Sequence, residues 1–198
     1  MKRNFTILSF LLLFSGIINA KEVIDNYTMS YFNKNYEIEA SKGKSDDFTV
    51  YIQVNAERST TKANYMIKSG KLNEFKEALI ATKDKYVEWS KVAKENNVTD
   101  MSKEIDVKFP NIDIAWLGSK WFFSFGKKLS PKFLILKDGQ HVVTFVNKST
   151  ASSNQYIDET TYWVFADVKE FDEFIQKLDF EKIKAKLEKS ESKAELFK

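Results

Sequence analysis

Alternating apolar and polar residues predict a series of β-strands in the first part of the chain. The alternation runs through residues 35–40 and again through residues 48–54, and a third, shorter strand is expected from Ala63 to Lys68. Successive side chains of a strand point to opposite faces, so a period of two indicates strands with one buried face.

Apolar residues then recur at steps of three and four, the spacing of a helix with one apolar face. The stripe predicts a helix from about Leu72 to Lys94. Its members are Leu72, Phe75, Leu79, Thr82, Tyr86, Trp89 and Ala93. Coiled coils share this spacing, but the stripe extends over only about three heptads and has a threonine at its centre. Packing against the protein's own sheet is therefore the preferred interpretation.

Strand patterns return after this helix. Residues 105–109 alternate and stop at Pro110. Residues 112–125 predict a hairpin closed by Gly118-Ser119, a pair suited to a two-residue type II′ turn.

A second hairpin is predicted over residues 133–146. Its turn, Asp138-Gly139, is the strongest short-range hairpin signal in the chain. A loop rich in serine and threonine is expected from Lys148 to Asp158, followed by a last strand near residues 161–166.

The C-terminal part predicts further helical structure. Asp167 is the expected N-cap, with Glu170 in the position that completes a capping box. We expect helix from Val168 to Leu187, in two stretches with one apolar face each. The apolar positions are Phe171, Phe174 and Leu178 in the first stretch, and Phe180, Ile183 and Leu187 in the second. From Glu188 onward the tail is charged and is expected to fray.

Two strand-then-helix segments resemble each other. In the strand, residues 65–67 resemble residues 162–164, which lie 97 positions later. In the helix, the stripe that begins at Leu72 resembles the stripe that begins at Phe171, which lies 99 positions later. One interpretation is an old duplication of a β-β-β-α unit. The other, which we prefer, is that any strand followed by an amphipathic helix has this pattern.

These elements predict the α+β class, with an antiparallel-rich sheet and two amphipathic helices packed on it. The chain has two prolines and six glycines, and no linker rich in them divides it. We therefore expect residues 21–198 to form one mature domain, within which two β-β-β-α-like halves remain an open alternative.

Residues 1–20 have the character of a cleavable secretory signal peptide. Lys2 and Arg3 supply the positive start, residues 7–14 the apolar segment, and Ala20 the small residue before the cut. The apolar run is shorter than the ~20 residues of a transmembrane helix. No cysteine follows it, which excludes lipid attachment as in bacterial lipoproteins. We expect a protein without a transmembrane segment, soluble in the periplasm or secreted after cleavage near Ala20.

Cleavage would also change the charge balance. The whole chain has 31 basic and 28 acidic residues, and the leader holds two of the basic ones, so 29 and 28 remain. Arg58 would then be the single arginine. A nearly neutral, lysine-rich surface lacks the basic stripe and the bidentate guanidinium groups of nucleic-acid recognition, so no nucleic-acid partner is expected.

The chain has no cysteine and one histidine, His141. Its stability must therefore come from a hydrophobic core rather than from disulfides. Thiol nucleophiles, cysteine metal sites and sites with two imidazoles are excluded. No pattern predicts a catalytic, cofactor-binding or metal-binding residue, and no cofactor is expected.

Trp116 and Trp121 are the most conspicuous candidate site. They flank the first predicted turn symmetrically, so a two-residue turn would place them directly opposite each other. Two coplanar indoles would form a platform for a sugar. Only apolar residues share their predicted face, so we expect both rings, with Phe123 and Phe125, to lie in the core.

The remaining polar candidates favour structural roles. His141 is expected opposite Leu136 on an apolar face, which indicates a packed histidine at the sheet rim. Adjacent acids occur at Asp46-Asp47 and Asp158-Glu159, in predicted loops. A glycosidase needs two acids roughly 5–10 Å apart and aimed at one bond, which neighbouring residues rarely achieve.

Two further groups of polar residues carry weak signals. Three loop serines, Ser149, Ser152 and Ser153, lack the sequence context of nucleophilic serines. In residues 21–198, three asparagines begin glycosylation sequons: Asn26, Asn97 and Asn147. Sequons matter in a eukaryotic secretory pathway, whereas the composition, rich in lysine, phenylalanine and asparagine, favours an AT-rich bacterium.

The middle of the chain carries a resemblance of overall style. Residues 85–99 read Lys-Tyr-Val-Glu-Trp-Ser-Lys-Val-Ala-Lys-Glu-Asn-Asn-Val-Thr. With the leader and the composition, this segment resembles small exported proteins of unassigned function from Bacteroidota-type bacteria. The resemblance extends through most of residues 21–198, implies a periplasmic or secreted location, and assigns no site residue.

Three classes of function are compatible with these observations. We expect an exported, non-catalytic binding or interaction protein of the cell envelope, whose partner is an envelope protein, a peptide or a glycan. The alternative is a carboxylate-dependent hydrolase of saccharide or cell-wall material, in which two acids distant in sequence converge in a cleft. A structural or envelope-stress protein is the third class.

The predicted leader can be tested directly. Mass spectrometry of the protein isolated from the cell envelope or the medium should find Lys21 as the first residue, because cleavage is expected after Ala20. An intact Met1 on protein from the cytoplasm would contradict the prediction.

Overall fold

The computed structural model describes residues 21–45, 47–58 and 62–195, and the predicted leader lies outside them. The first part of the described chain contains β1 (Glu22–Met29), a 3-10 turn (Ser30–Phe32), β2 (Lys34–Lys42), β3 (Phe48–Ala56), β4 (Ala63–Lys68), a second 3-10 turn (Ser69–Lys71) and α1 (Leu72–Glu95). The remainder contains β5 (Met101–Glu104), β6 (Ile112–Leu117), β7 (Trp121–Lys127), β8 (Pro131–Ile135), β9 (His141–Ala151), β10 (Asn154–Phe165), α2 (Val168–Lys177) and α3 (Phe180–Glu195).

The α+β class is confirmed. All the strand pairs are antiparallel, and the order across the sheet is β5-β8-β9-β10-β3-β4-β6-β7. The sheet branches at β3. Residues 48–52 of β3 pair with β2, whereas Asn55 and Ala56 pair with β10 on the same edge. β1 extends the branch through β2.

The helices cover one face of this sheet and share a single hydrophobic core with it. The predicted α1 stripe is confirmed: its members are buried, except that Trp89 is half-buried against the core. The described residues contain three helices rather than the two expected, because α2 and α3 are separate elements. The helical tail continues to Glu195, past the predicted fraying point at Glu188.

The predicted Asp167 N-cap is confirmed, whereas Glu170 bonds the N–H of Ala166 and not that of Asp167, as a capping box would require. Asp167 Oδ1 accepts a hydrogen bond of 2.8 Å from the Glu170 N–H, as an N-cap does. Glu170 reaches back to the N–H of Ala166 at 2.8 Å, and its other oxygen accepts a 3.0 Å bond from the Ser30 N–H. Glu170 therefore caps α2 and also fixes the 3-10 turn that follows β1.

Three strand predictions need correction. Residues 105–109 are not a strand; pairing ends at Glu104, although Ile105 and Phe109 are buried as core residues. β1 was not predicted, because an irregularity between Val23 and Asp25 breaks its alternation. The expected loop from Lys148 to Asp158 is instead the far end of the β9–β10 hairpin.

The structure contains a three-stranded meander followed by a helix in each half, β2-β3-β4-α1 and β8-β9-β10-α2. The predicted alignment of the halves is wrong by one residue. Tyr65 points inward in β4, but its proposed counterpart Tyr162 is half-buried and the neighbouring Trp163 points inward. Matching Tyr65 to Trp163 keeps the faces aligned, and the duplication stays a hypothesis.

The core role of the α1 stripe predicts the effect of a buried charge. Leu79→Asp should lower the free energy of unfolding by several kcal/mol, because Leu79 is fully buried. Val87→Asp is the matched control, since Val87 lies on the same helix and is 44% exposed. The free energy of unfolding is measured by chemical denaturation. A decrease of less than about 1 kcal/mol in both variants would contradict the assignment of Leu79 to the core.

An ion-pair cluster joins β1 to both C-terminal helices. Asp25 Oδ1 accepts a hydrogen bond of 2.9 Å from Lys177 Nζ, and Asp25 Oδ2 lies 3.6 Å from Lys186 Nζ. Desolvation opposes ionisation of Asp25, but the bonds from Lys177 and from the Asn26 N–H outweigh it and lower the pKa of Asp25. A lowered pKa means that the carboxylate stabilises the fold above its unfolded-state pKa and loses this effect as the pH falls.

Asp25→Asn should therefore lower the free energy of unfolding at pH 7 by under about 1 kcal/mol, since the side chain is partly exposed. The difference from the wild type should shrink as the pH falls below about 4. Glu88→Gln, which removes the exposed pair with Lys85, is the control. Urea denaturation at several pH values measures the free energy of unfolding of both variants. If the difference between Asp25→Asn and the wild type grows at low pH, the stabilising role of the Asp25 carboxylate is refuted.

Candidate functional site

A groove lies on the helix-free face of the sheet, with a volume of about 450 Å³. Its residues come from the end of β3, from β8, β9 and β10, and from the 3-10 turn after β1. They are Tyr31, Phe32, Asn55, Ala56, Glu57, Leu134, Leu136, Val142, Thr144, Val146, Tyr162 and Val164. The volume is within the range of roughly 300–1,000 Å³ that is typical of ligand-binding pockets.

Strand alternation explains the apolar floor of the groove. In β9, Val143 and Phe145 point into the core, so Val142, Thr144 and Val146 point to the opposite face. The neighbouring strands behave in the same way and contribute Leu134 from β8 and Val164 from β10. The sequence shows this two-sided apolar pattern at residues 133–146, but the pattern alone is equally typical of strands buried under a second layer.

The 3-10 turn forms one wall of the groove. Met29, fully buried, precedes this turn, and its sulfur accepts a hydrogen bond of 3.4 Å from the Val164 N–H. The next residue, Ser30, is bound by Glu170. Tyr31 and Phe32 then pack edge to face, with ring centroids 5.1 Å apart. The wall is therefore anchored both to the floor and to the start of α2.

The polar groups of the groove concentrate where β3 meets β10. Tyr162 lies opposite Asn55 in the strand register. Desolvation, reinforced by the carboxylates of Glu57 and Glu159, raises the pKa of Tyr162. Its hydroxyl is protonated at neutral pH, as that of an unperturbed tyrosine is. Asn55 Oδ1 accepts a 3.2 Å bond from the hydroxyl of Tyr36.

This arrangement is suited to binding. The apolar floor over β8 and β9 offers area for desolvation, and the polar end at β3–β10 can orient a ligand through a few hydrogen bonds. Among the residues that line the groove, Glu57 is the carboxylate. Hydrolysis by paired carboxylates would require a second acid facing the same space.

The predicted tryptophan pair is not formed. Leu117 lies opposite Trp121, and Trp116 lies opposite Phe122. Trp116 is buried with Phe122, whereas Trp121 is 36% exposed on the other face. The prediction that Trp121, Phe123 and Phe125 face the core is therefore wrong, and the two indoles cannot form one platform.

The cause of this error is the length of the turn. Three residues, 118–120, separate the last paired residues of β6 and β7, and Gly118 does not have the positive φ of a type II′ turn. One additional loop residue shifts the register by one position. A shift of one residue moves every side chain of β7 to the opposite face.

The second hairpin differs from its prediction in the same way. His141 pairs with Ile135, not Leu136. Gly139 has a φ of 82° and donates a 2.8 Å hydrogen bond to the carbonyl of Leu136, which is the geometry of a three-residue loop ending in a left-handed glycine. An alanine at residue 139 would be strained in this conformation.

His141 is half-buried at the rim of the sheet, as predicted. Its ring packs edge to face on Phe133, with centroids 5.5 Å apart. Burial, with a contribution from the positive charge of Lys94, lowers the pKa of His141. The imidazole is therefore neutral at pH 7, and it lies away from the groove.

Asp158 and Glu159 make separate structural contacts. Asp158 forms ion pairs with Arg58 and Lys148, and these cations lower its pKa despite some desolvation. Glu159 is buried and accepts hydrogen bonds from the N–H groups of Arg58 and Thr160, at 2.9 and 3.1 Å. Glu159 therefore binds the chain that follows β3.

The other pair is only partly described. Asp46 lies outside the described residues. Asp47 accepts a hydrogen bond of 3.3 Å from Ser69 Oγ, beside the start of α1. This contact gives Asp47 a structural role in the loop between β2 and β3.

The serines and sequon asparagines also have ordinary surroundings. Ser149 is buried and donates a 2.8 Å bond to Asn147 Oδ1, whereas Ser152 and Ser153 form the turn between β9 and β10. Asn147 donates to the carbonyl of Lys128. Asn26 and Asn97 are exposed.

Two further kinds of feature are absent from the described residues. Within them, no three side chains of histidine, cysteine, aspartate or glutamate are placed to hold a metal ion. In the same part of the chain, no helix is long and apolar enough to cross a membrane.

Comparisons with known proteins found no match among protein-family models, curated proteins or solved structures. The resemblance to small exported Bacteroidota-type proteins therefore stays a prediction. Any assignment of function has to come from the groove and its neighbours.

Proposed function

We propose that this chain is an exported, non-catalytic binding protein of the cell envelope and that the groove on the helix-free face holds its partner. The groove itself is the observation that supports this proposal most strongly. It is a preformed concavity of about 450 Å³ with a mostly apolar lining. Export remains inferred from the leader.

The lining favours a peptide segment over a glycan as the partner. Leu134 of β8, Leu136 directly after β8 and Val146 of β9 offer apolar area, whereas hydrogen-bonding groups cluster at the β3–β10 end. Sugars carry hydroxyl groups around the whole ring and lose affinity when buried polar groups stay unpaired. An apolar peptide segment with a hydrogen-bond donor towards Glu57 satisfies both ends.

The proposal predicts which surface contacts the partner. A photo-crosslinking amino acid placed at Val146 should form an adduct with an envelope protein or peptide in the cells that make the chain. The same probe at Val92 should not, because Val92 lies on α1, away from the groove. The two positions are matched in accessibility, at 50% and 51% exposed.

A blocking variant makes this experiment specific. Leu136→Asp should remove the adduct at Val146, because a charge on the apolar floor would have to be desolvated without a partner. Val87→Asp, on the solvent face of α1, should leave the adduct unchanged. Equal labelling at Val146 and Val92, or no loss in Leu136→Asp, would contradict the assignment of the groove.

The non-catalytic part of the proposal is tested separately. The purified chain should not turn over cell-wall glycans or peptides. Reproducible turnover that Glu57→Gln abolishes would show that the groove is an active site.

A further inference from the structure

Lys21 holds its ammonium group in a cluster of aromatic and acidic side chains on the helix-free face. Its Nζ lies 3.8 Å from the ring centroid of Tyr51 and 5.0 Å from that of Trp121. The carboxylate of Glu39 is 3.7 Å away, at Oε2. Both ring distances are within the roughly 6 Å over which a cation is attracted to an aromatic face.

The strands place these groups together. Glu39 of β2 lies opposite Tyr51 of β3, and both point away from the core. The three-residue turn between β6 and β7 puts Trp121 on the same side of the sheet. We call Glu39, Tyr51 and Trp121 the ammonium cage.

The charges around the cage favour a cation. Glu39 forms ion pairs with both Lys21 and Lys62. The Nζ of Lys62 lies 3.3 Å from Glu39 Oε1 and also pairs with the carboxylate of Glu37. The two carboxylates are therefore balanced by the ammonium groups of Lys21 and Lys62. Without Lys21, the cluster would have an excess negative charge beside two exposed ring faces.

The fit of Lys21 itself is imperfect. Desolvation, together with a smaller contribution from the positive charge of Lys62, lowers the pKa of Lys21 despite the attraction of Glu39. Its distance to the Glu39 carboxylate is beyond that of a normal hydrogen bond. An ammonium group with methyl substituents has fewer N–H groups to leave unpaired and is the cation that aromatic cages bind best.

We propose that the ammonium cage is a binding site for a methylated or quaternary ammonium group, which Lys21 occupies as an internal stand-in. The site is independent of the groove. Its ligand would displace the Lys21 side chain and place its methyl groups against Tyr51 and Trp121.

The test follows the indole N–H signal of Trp121 in two-dimensional NMR spectra, which separate it from the signals of Trp89, Trp116 and Trp163. Tetramethylammonium chloride is titrated at constant ionic strength, with sodium chloride as the salt control. Lys21→Met should show a saturable change at roughly tenfold lower concentration than the wild type, because the tethered competitor is gone. Lys103→Met is the matched control, since Lys103 Nζ lies over the ring of Trp89 at 4.1 Å, outside the cage.

Two double variants test the composition of the cage. Glu39→Gln or Tyr51→Leu, each combined with Lys21→Met, should weaken the response while leaving Trp121 as the reporter. Circular dichroism establishes whether each variant folds. If Tyr51→Leu does not fold, Glu39→Gln still tests the cage. A Lys21→Met response equal to that of Lys103→Met, or one that Glu39→Gln does not weaken, would overturn the proposal.

The source of the ammonium group is distinguished by a further comparison. Choline and vesicles of phosphatidylcholine are titrated at equal choline concentration. A stronger response to vesicles assigns the group to a lipid headgroup, and a stronger response to choline assigns it to a free solute. Absence of binding by either, together with no response to tetramethylammonium, refutes the site.

Discussion

Packing around Trp163 holds the two meanders of this protein together. Trp163 is fully buried, and five aromatic rings lie with centroids 4.8–6.0 Å from its own. These rings belong to Tyr65, Phe75, Phe145, Phe165 and Phe174. They come from β4, α1, β9, β10 and α2, so one side chain contacts both halves of the fold. The backbone pairing described at this junction is short: Thr161 and Tyr162 of β10 are in register with Ala56 and Asn55 of β3, and the Glu57 N–H donates to the Thr160 carbonyl at 2.9 Å.

The groove depends on the same junction. Its polar end consists of side chains from β3 and β10, so a shift of one meander against the other would separate Asn55 from Tyr162. Two hydrogen bonds support the contact from either side. The hydroxyls of Tyr65 and Thr161 are 3.1 Å apart, and Glu159 holds the N–H of Arg58. The core on one face therefore fixes the geometry of the binding surface on the other.

The sequence predicted those features that are set by local pattern. The α1 stripe, the Asp167 cap and the central strands depend on periodicity and capping within a few residues, and all are present. The turns at residues 118–120 and 137–139 were predicted one residue too short. In a β-hairpin such an error reverses the faces of a strand, which is why Trp121 was assigned to the core.

The candidate site could not be predicted from local pattern. β8 and β10 are brought together with the end of β3 by tertiary packing, and no spacing in the sequence encodes that contact. Two-sided apolar strands were visible at residues 133–146, but they are equally compatible with burial under a second layer. The position of Lys21 beside Tyr51 and Trp121 likewise depends on the branch of the sheet at β3.

A preformed groove across the junction of the two meanders requires them to unfold as one unit. Amide hydrogen exchange under native conditions tests this most directly. The amides of Tyr65 and Ile67 in β4 and of Trp163 and Phe165 in β10 should exchange with the same free energy of opening, equal to that of global unfolding. A distinctly lower free energy for β8–β10 than for β2–β4 would show that the halves open separately and would contradict a groove preformed across them.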